Sequence, residues 1–166
     1  MINLGVISTD FILDKRPVNW QDVLWGYENK FLGWRSIIEF SEKRLLDGSD
    51  VGLEVDLVSF TKENAGEVGN ILRELAGKEF PSSDEKIKEK WLYIVLSWLF
   101  ETRSEIDDPL AYIEEIYADF DYPDEIVEFV RYMPVNGGYD ASKHTSIENE
   151  QRLLNKWKEY LDNNAS

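Results

Sequence analysis

Apolar residues recur along this chain at the three-and-four spacing of a helix surface, and that period sets the expected fold. Trp20, Val23, Leu24, Tyr27 and Phe31 form one stripe, with Asn19 as the expected N-cap after Pro17 and Gly33 as the break. Trp34, Ile37, Ile38 and Leu45 form a second, closed by Asp47-Gly48. Residues 51–60 fit two periods. Leu53-Glu54-Val55-Asp56-Leu57 alternates as a strand would, whereas Leu53, Leu57 and Phe60 fit a helix stripe. A lone strand would leave its backbone groups unpaired, so a helix is expected.

Further along, Thr61 or Asn64 is expected to cap a helix with Val68, Ile71, Leu72 and Leu75 inward and Gly77 at its end. Ser82 and Glu85 stand at capping-box spacing before Ile87, Trp91, Leu92, Ile94, Val95, Trp98 and Leu99, a helix apolar over more than half its circumference. Asp108-Pro109 reads as an N-cap with Pro in the first helical position, before Leu110, Ile113, Ile116, Tyr117 and Phe120. Tyr122-Pro123-Asp124-Glu125 opens another helix over Ile126, Phe129 and Val130, and residues 133–143 form the clearest loop. Thr145 and Glu148 are again spaced as a capping box, before Leu153, Leu154, Trp157, Tyr160 and Leu161. The expectation is an all-α fold: one domain over residues 1–166, with about seven helices packed as antiparallel helix–turn–helix pairs.

Composition removes whole classes of chemistry. The 166 residues hold no Cys and one His, His144, which excludes disulfides, Cys-ligated zinc, iron–sulfur clusters and a cysteine nucleophile. No Gly-x-Ser-x-Gly or phosphate-cradling Gly loop occurs, and His144 reads as a loop or capping residue rather than a catalytic one. The run Asp119-Phe120-Asp121-Tyr122-Pro123-Asp124 starts like a calcium loop, but its sixth position is Asp124 instead of Gly and its twelfth is Val130 instead of Glu. A carboxylate-only enzyme would need two acids facing each other in a cleft, and no pair in the sequence has to be so placed. No metal, cofactor or enzymatic activity is expected. The longest apolar stretch, residues 91–100, is half the roughly 20 residues of a membrane span, and the first ten residues lack a basic leading segment; a cytoplasmic protein is expected.

Charge gives the direction. Eighteen Lys and Arg against 33 Asp and Glu leave a net charge of −15, which opposes nucleic acid and anionic membrane and favours a basic protein partner. The acidity is concentrated. Residues 104–130 carry ten acidic side chains and no Lys or Arg, interleaved with Tyr112, Tyr117, Phe120 and Tyr122. Tyrosines supply rigid contact area and faces on which arginine stacks, so this segment is the expected partner-binding surface, with Tyr112, Glu114, Glu115, Asp119, Asp121, Tyr122 and Glu128 as its candidate residues.

The block from Asp108-Pro109-Leu110 through Ile116–Pro123 to Phe129–Pro134, with Trp25-Gly26-Tyr27 and Gly33-Trp34, resembles a family of small, uncharacterised all-helical bacterial domains counted among the immunity proteins of polymorphic and contact-dependent toxin systems. The likeness runs from Trp20 to about Pro134. It implies a cytoplasmic antidote that binds a cognate toxin domain, often a nuclease, and blocks it. It carries over no particular binding residues. The expected function is therefore toxin neutralisation by occlusion of the toxin's active site. The alternative is a helical scaffold or adaptor that holds a cellular protein or peptide in a groove between helices.

Overall fold

Four helix starts follow short polar side chains, Ser8, Asn19, Ser83 and Thr145, each of which accepts from a free amide of the first turn. In the computed structural model, which describes residues 3–134 and 137–165, eight α-helices and four short 3-10 segments make up the regular structure of the described residues, and none of those residues lies in a strand. The fold is all-α. The contact pattern divides the chain into two compact units, Asn3–Trp91 and a second that begins at Leu92.

The first unit holds α1 (Thr9–Lys15), α2 (Trp20–Glu28), α3 (Trp34–Leu46), α4 (Gly52–Val58), α5 (Val68–Gly77) and the start of α6 (Asp84–Thr102). Helix α1 has no counterpart in the expected elements: at seven residues it is too short to display a stripe, though Ser8 caps it and Ile12 is buried. Helix α2 begins as expected, with Asn19 and Asp22 exchanging side-chain and backbone hydrogen bonds in a capping box. The Glu79 carboxylate adds a second clamp, accepting from the amides of Trp20 (3.0 Å) and Gln21 (2.9 Å), where a negative charge meets the positive end of the helix. The Gln21 side chain in turn donates to the Phe80 carbonyl and accepts from the Ser82 amide.

Three expectations change in this unit. Helix α2 stops at Glu28, short of Phe31, because a Schellman turn closes it: the amides of Lys30 and Phe31 donate to the carbonyls of Tyr27 and Gly26. Phe31 is still buried, carried inward by the turn. The helix expected after Thr61 is split, with a 3-10 segment Lys62–Glu67 preceding α5 and a non-helical Asn64 within it. And α6 is capped by Ser83, whose hydroxyl accepts from the Lys86 amide, instead of by Ser82, whose amide is held by Gln21. Residues 52–58 are helical, as the unpaired-strand argument required.

Lys30 occupies the left-handed position of the α2 turn, with φ 66°. Glycine adopts that conformation without the Cβ clash, and a lysine does not. Lys30→Gly is expected to raise stability by about 0.5–1 kcal/mol, the relief of strain exceeding the added freedom of the unfolded chain, seen as a Tm increase of roughly 1–4 °C. An unchanged or lower Tm would mean the turn holds lysine without strain.

The core of this unit is aromatic. Trp25, Phe31 and Trp91 stack on one another with ring centroids 5.8–6.1 Å apart, and the Trp91 indole donates to the Asp22 carbonyl. Two carboxylates are buried with them. Asp22 pairs with Lys90 at 2.6 Å. Glu54, fully buried on α4, accepts from the Trp20 indole (3.1 Å), the Arg44 guanidinium (2.6 Å) and the Ser49 hydroxyl (2.6 Å). Burial pushes its pKa up, but the three donors and the Arg44 charge outweigh that and hold it below the usual carboxylate value.

The second unit holds the rest of α6, α7 (Pro109–Asp119), a 3-10 segment Asp124–Phe129 and α8 (Ser146–Asn164). Thr145 and Glu148 form the expected capping box at the start of α8. The element opened by Pro123 is a 3-10 segment instead of an α-helix, yet it buries Ile126 and Phe129 as the pattern required. Trp157 of α8 is fully buried, edge-on to Phe100 (4.9 Å) and stacked on Phe129 (6.3 Å), with Tyr160 against the same Phe129 ring. That aromatic group fixes α8 to the 3-10 segment.

Candidate functional site

Helix α7 turns its Leu110, Ile113 and Ile116 inward, which leaves the intervening acids outward. Glu115 and Asp119 are exposed and Tyr112 is half-buried; their i, i+3, i+7 spacing sets the three along one side of the helix. The helix ends in another Schellman turn: the amides of Asp121 and Tyr122 donate to the carbonyls of Ala118 and Tyr117. Both Asp121 (φ 62°) and Tyr122 (φ 57°) are left-handed there, and Tyr122, 63% exposed, meets the Tyr117 ring edge-on at 5.2 Å. Five of the seven candidate residues therefore lie on α7 or in the turn that closes it, with exposed or half-exposed side chains: Tyr112, Glu115, Asp119, Asp121 and Tyr122.

Glu114 and Glu128 do not join them. Glu114 is held by Arg131, whose Nη2 donates to it at 2.8 Å and to Asp108 at 3.0 Å. Asp108 occupies the N-cap position of α7, but its carboxylate goes to Arg131 and makes no capping hydrogen bond. Burial lowers the basicity of Arg131, and its two carboxylates more than restore it. This cation lies one residue beyond the acidic window, where an arginine directly after a stretch of ten acids with no Lys or Arg was the available signal.

Glu128 lies on the 3-10 segment beside a cavity of about 330 Å³. Its walls come from the 3-10 segment, the turn after it, the loop before α8 and the first turns of α8. Val130, Met133 and Leu153 supply apolar wall; Glu128, Glu150, Arg131 and Arg152 supply charge. Tyr139 is braced in the wall: its hydroxyl donates to the Asn149 side chain, Arg152 lies 4.2 Å over its ring and His144 stacks on it at 4.7 Å. His144 also caps the end of a 3-10 turn, as its loop position suggested, with Nδ1 3.5 Å from Glu148. No group of three or more Asp, Glu or His among the described residues is arranged to hold a metal ion. No helix of the described residues is long and apolar enough to cross a membrane.

These features define an acidic, all-α protein with a tyrosine-bearing face at the end of α7 and a charged cavity beside Glu128. A family model described as an uncharacterized protein conserved in bacteria (DUF2247) matches residues 9–165, and the chain belongs to that bacterial family. Comparison with curated proteins and with solved structures returns no match.

Proposed function

We propose that the chain is an immunity protein that acts in the bacterial cytoplasm, docking the exposed acidic face of α7 and its closing turn onto a basic, nuclease-type toxin domain and covering the toxin's active site. The observation that supports this reading is the grouping of Glu115, Asp119, Asp121 and Tyr122 within a segment that has no basic residue of its own. A face of net negative charge steers a positive partner and speeds encounter, and Tyr122 offers a ring on which an arginine stacks.

The first test is survival. The C-terminal domain encoded immediately upstream is expressed in a host with and without this chain; killing that the chain alone prevents supports the reading, and a harmless neighbour or unrelieved killing removes it. With the toxin domain in hand, Glu115→Lys with Asp119→Lys is expected to slow association about tenfold or more at low salt, with the difference shrinking as salt rises. Unchanged association rates would move the interface elsewhere. Glu114 is a poor choice for that variant, since reversing it strands Arg131. The adaptor reading predicts instead binding in a groove between helices with little dependence on salt.

A further inference from the structure

We infer that the cavity beside Glu128 is a socket for a single arginine or lysine side chain presented by a protein partner, with the aliphatic stem against Val130, Met133 and Leu153 and the cationic head toward Glu128, Glu150 and the Tyr132 ring. The inference deepens the proposed function, since it rests on a basic protein partner, and it adds a point of capture outside the α7 face.

Charge selects the occupant. The Arg131 charge is answered by Asp108 and Glu114, both through Nη2, while its buried Nε has no hydrogen-bond partner among the described residues. Arg152 is stacked on Tyr139. Glu128 and Glu150 form no ion pair or hydrogen bond with any described residue; they stand beside two guanidiniums, Arg152 and an Arg131 already shared between two carboxylates of its own, so carboxylates outnumber cations around the cavity in a chain of net charge −15. An anion entering here meets both carboxylates at close range. Size agrees: about 330 Å³ is at the small end of ligand pockets, enough for an extended side chain with part of its backbone. The apolar wall suits the methylene stem of a basic side chain, which packs on such surface while its head stays with polar groups.

Tyr132 lines the cavity with φ 66° and is 88% exposed. A bulky residue in left-handed conformation costs free energy, which a glycine there would not. The Arg131 guanidinium lies 5.5 Å from the centroid of the Tyr132 ring, which otherwise faces outward. A second cation over the exposed ring gains the same attraction.

The test needs no toxin. The ¹⁵N-labelled full chain is titrated with N-acetyl-arginine-N-methylamide, and in parallel with its citrulline counterpart, which has nearly the same shape without the charge. Saturable amide shifts confined to residues 127–134 and 139–153 are expected, with citrulline binding about fivefold or more weaker. Glu128→Gln with Glu150→Gln is expected to weaken the arginine response by about tenfold. Tyr132→Gly is expected to raise Tm while weakening that response. Absence of saturation, equal binding of citrulline, an undiminished response in the double variant, or a Tm lowered by Tyr132→Gly each overturns the inference. Because the probe is a single amino-acid derivative, these outcomes are separate from the survival test.

Discussion

Replacing Gly26 with Ala is expected to destabilise the first unit by roughly 3 kcal/mol, a fall of about 6–12 °C in Tm for a chain of this size. A Cβ at this position would sit 2.3 Å from Cζ2 and 2.6 Å from Cη2 of Trp91, with Leu32 Cδ1 at 3.0 Å. Trp91 is fully buried, its ring packs against both Trp25 and Phe31, and its indole is fixed to the Asp22 carbonyl, so moving it aside breaks those contacts. The sign is diagnostic. At an open helical position Gly→Ala stabilises, by up to about 1 kcal/mol. Gly77, where a methyl group would meet no atom within 4 Å, is the control and is expected to be neutral or slightly stabilising as Ala. Urea melts of Gly26→Ala, Gly77→Ala and Gly26→Ala with Trp91→Leu distinguish the cases, the last recovering part of the loss. A Gly26→Ala protein as stable as the parent would show that the three stacked rings are free to move apart.

The second large effect concerns Glu54. Glu54→Gln is expected to cost about 2–3 kcal/mol near pH 7, because a neutral amide returns less to the Arg44 guanidinium, the Trp20 indole and the Ser49 hydroxyl than a carboxylate does. The pH dependence has a definite sign. The folded pKa lies below the unfolded value, so the fold prefers the ionised form. That preference stabilises fully above the unfolded carboxylate pKa, about 4.3, and is lost as pH falls through the lower folded value. The parent and Glu54→Gln curves of stability against pH therefore converge on the acid side and stand furthest apart near neutrality. Parallel curves would show that the Glu54 charge is not preferred by the fold.

Local signals were legible and distant ones were not. The Thr145–Glu148 capping box and Pro109 at the start of α7 follow from residues within a turn of each other, and the structure has them in place; the helix over 52–58 followed from the lack of a partner strand, since its local period fits both. Glu54 reads in the sequence as an outward polar residue between apolar ones, because its burial depends on donors from Trp20, Arg44 and Ser49, which no period in residues 51–60 reveals. Asp108 reads as a cap for the same reason: Arg131, which takes its carboxylate, stands 23 residues away. The outward acids of α7 were readable from its apolar period. The cavity was not, since four stretches of chain contribute to it and none is concave alone.

The clamp at the start of α2 has a consequence for how the first unit opens. A helix entrance ordinarily frays by itself, since its leading amides are held by neighbours in sequence or by water. Here two of them are held by Glu79, 59 and 58 residues on. Gln21 also grips residues 80 and 82. Releasing that entrance means undocking the whole 79–82 connection, so the beginning and end of a roughly sixty-residue stretch come apart in one cooperative step. Amide exchange at Trp20 and Gln21 then reports that larger opening, and not the breathing of a helix tip.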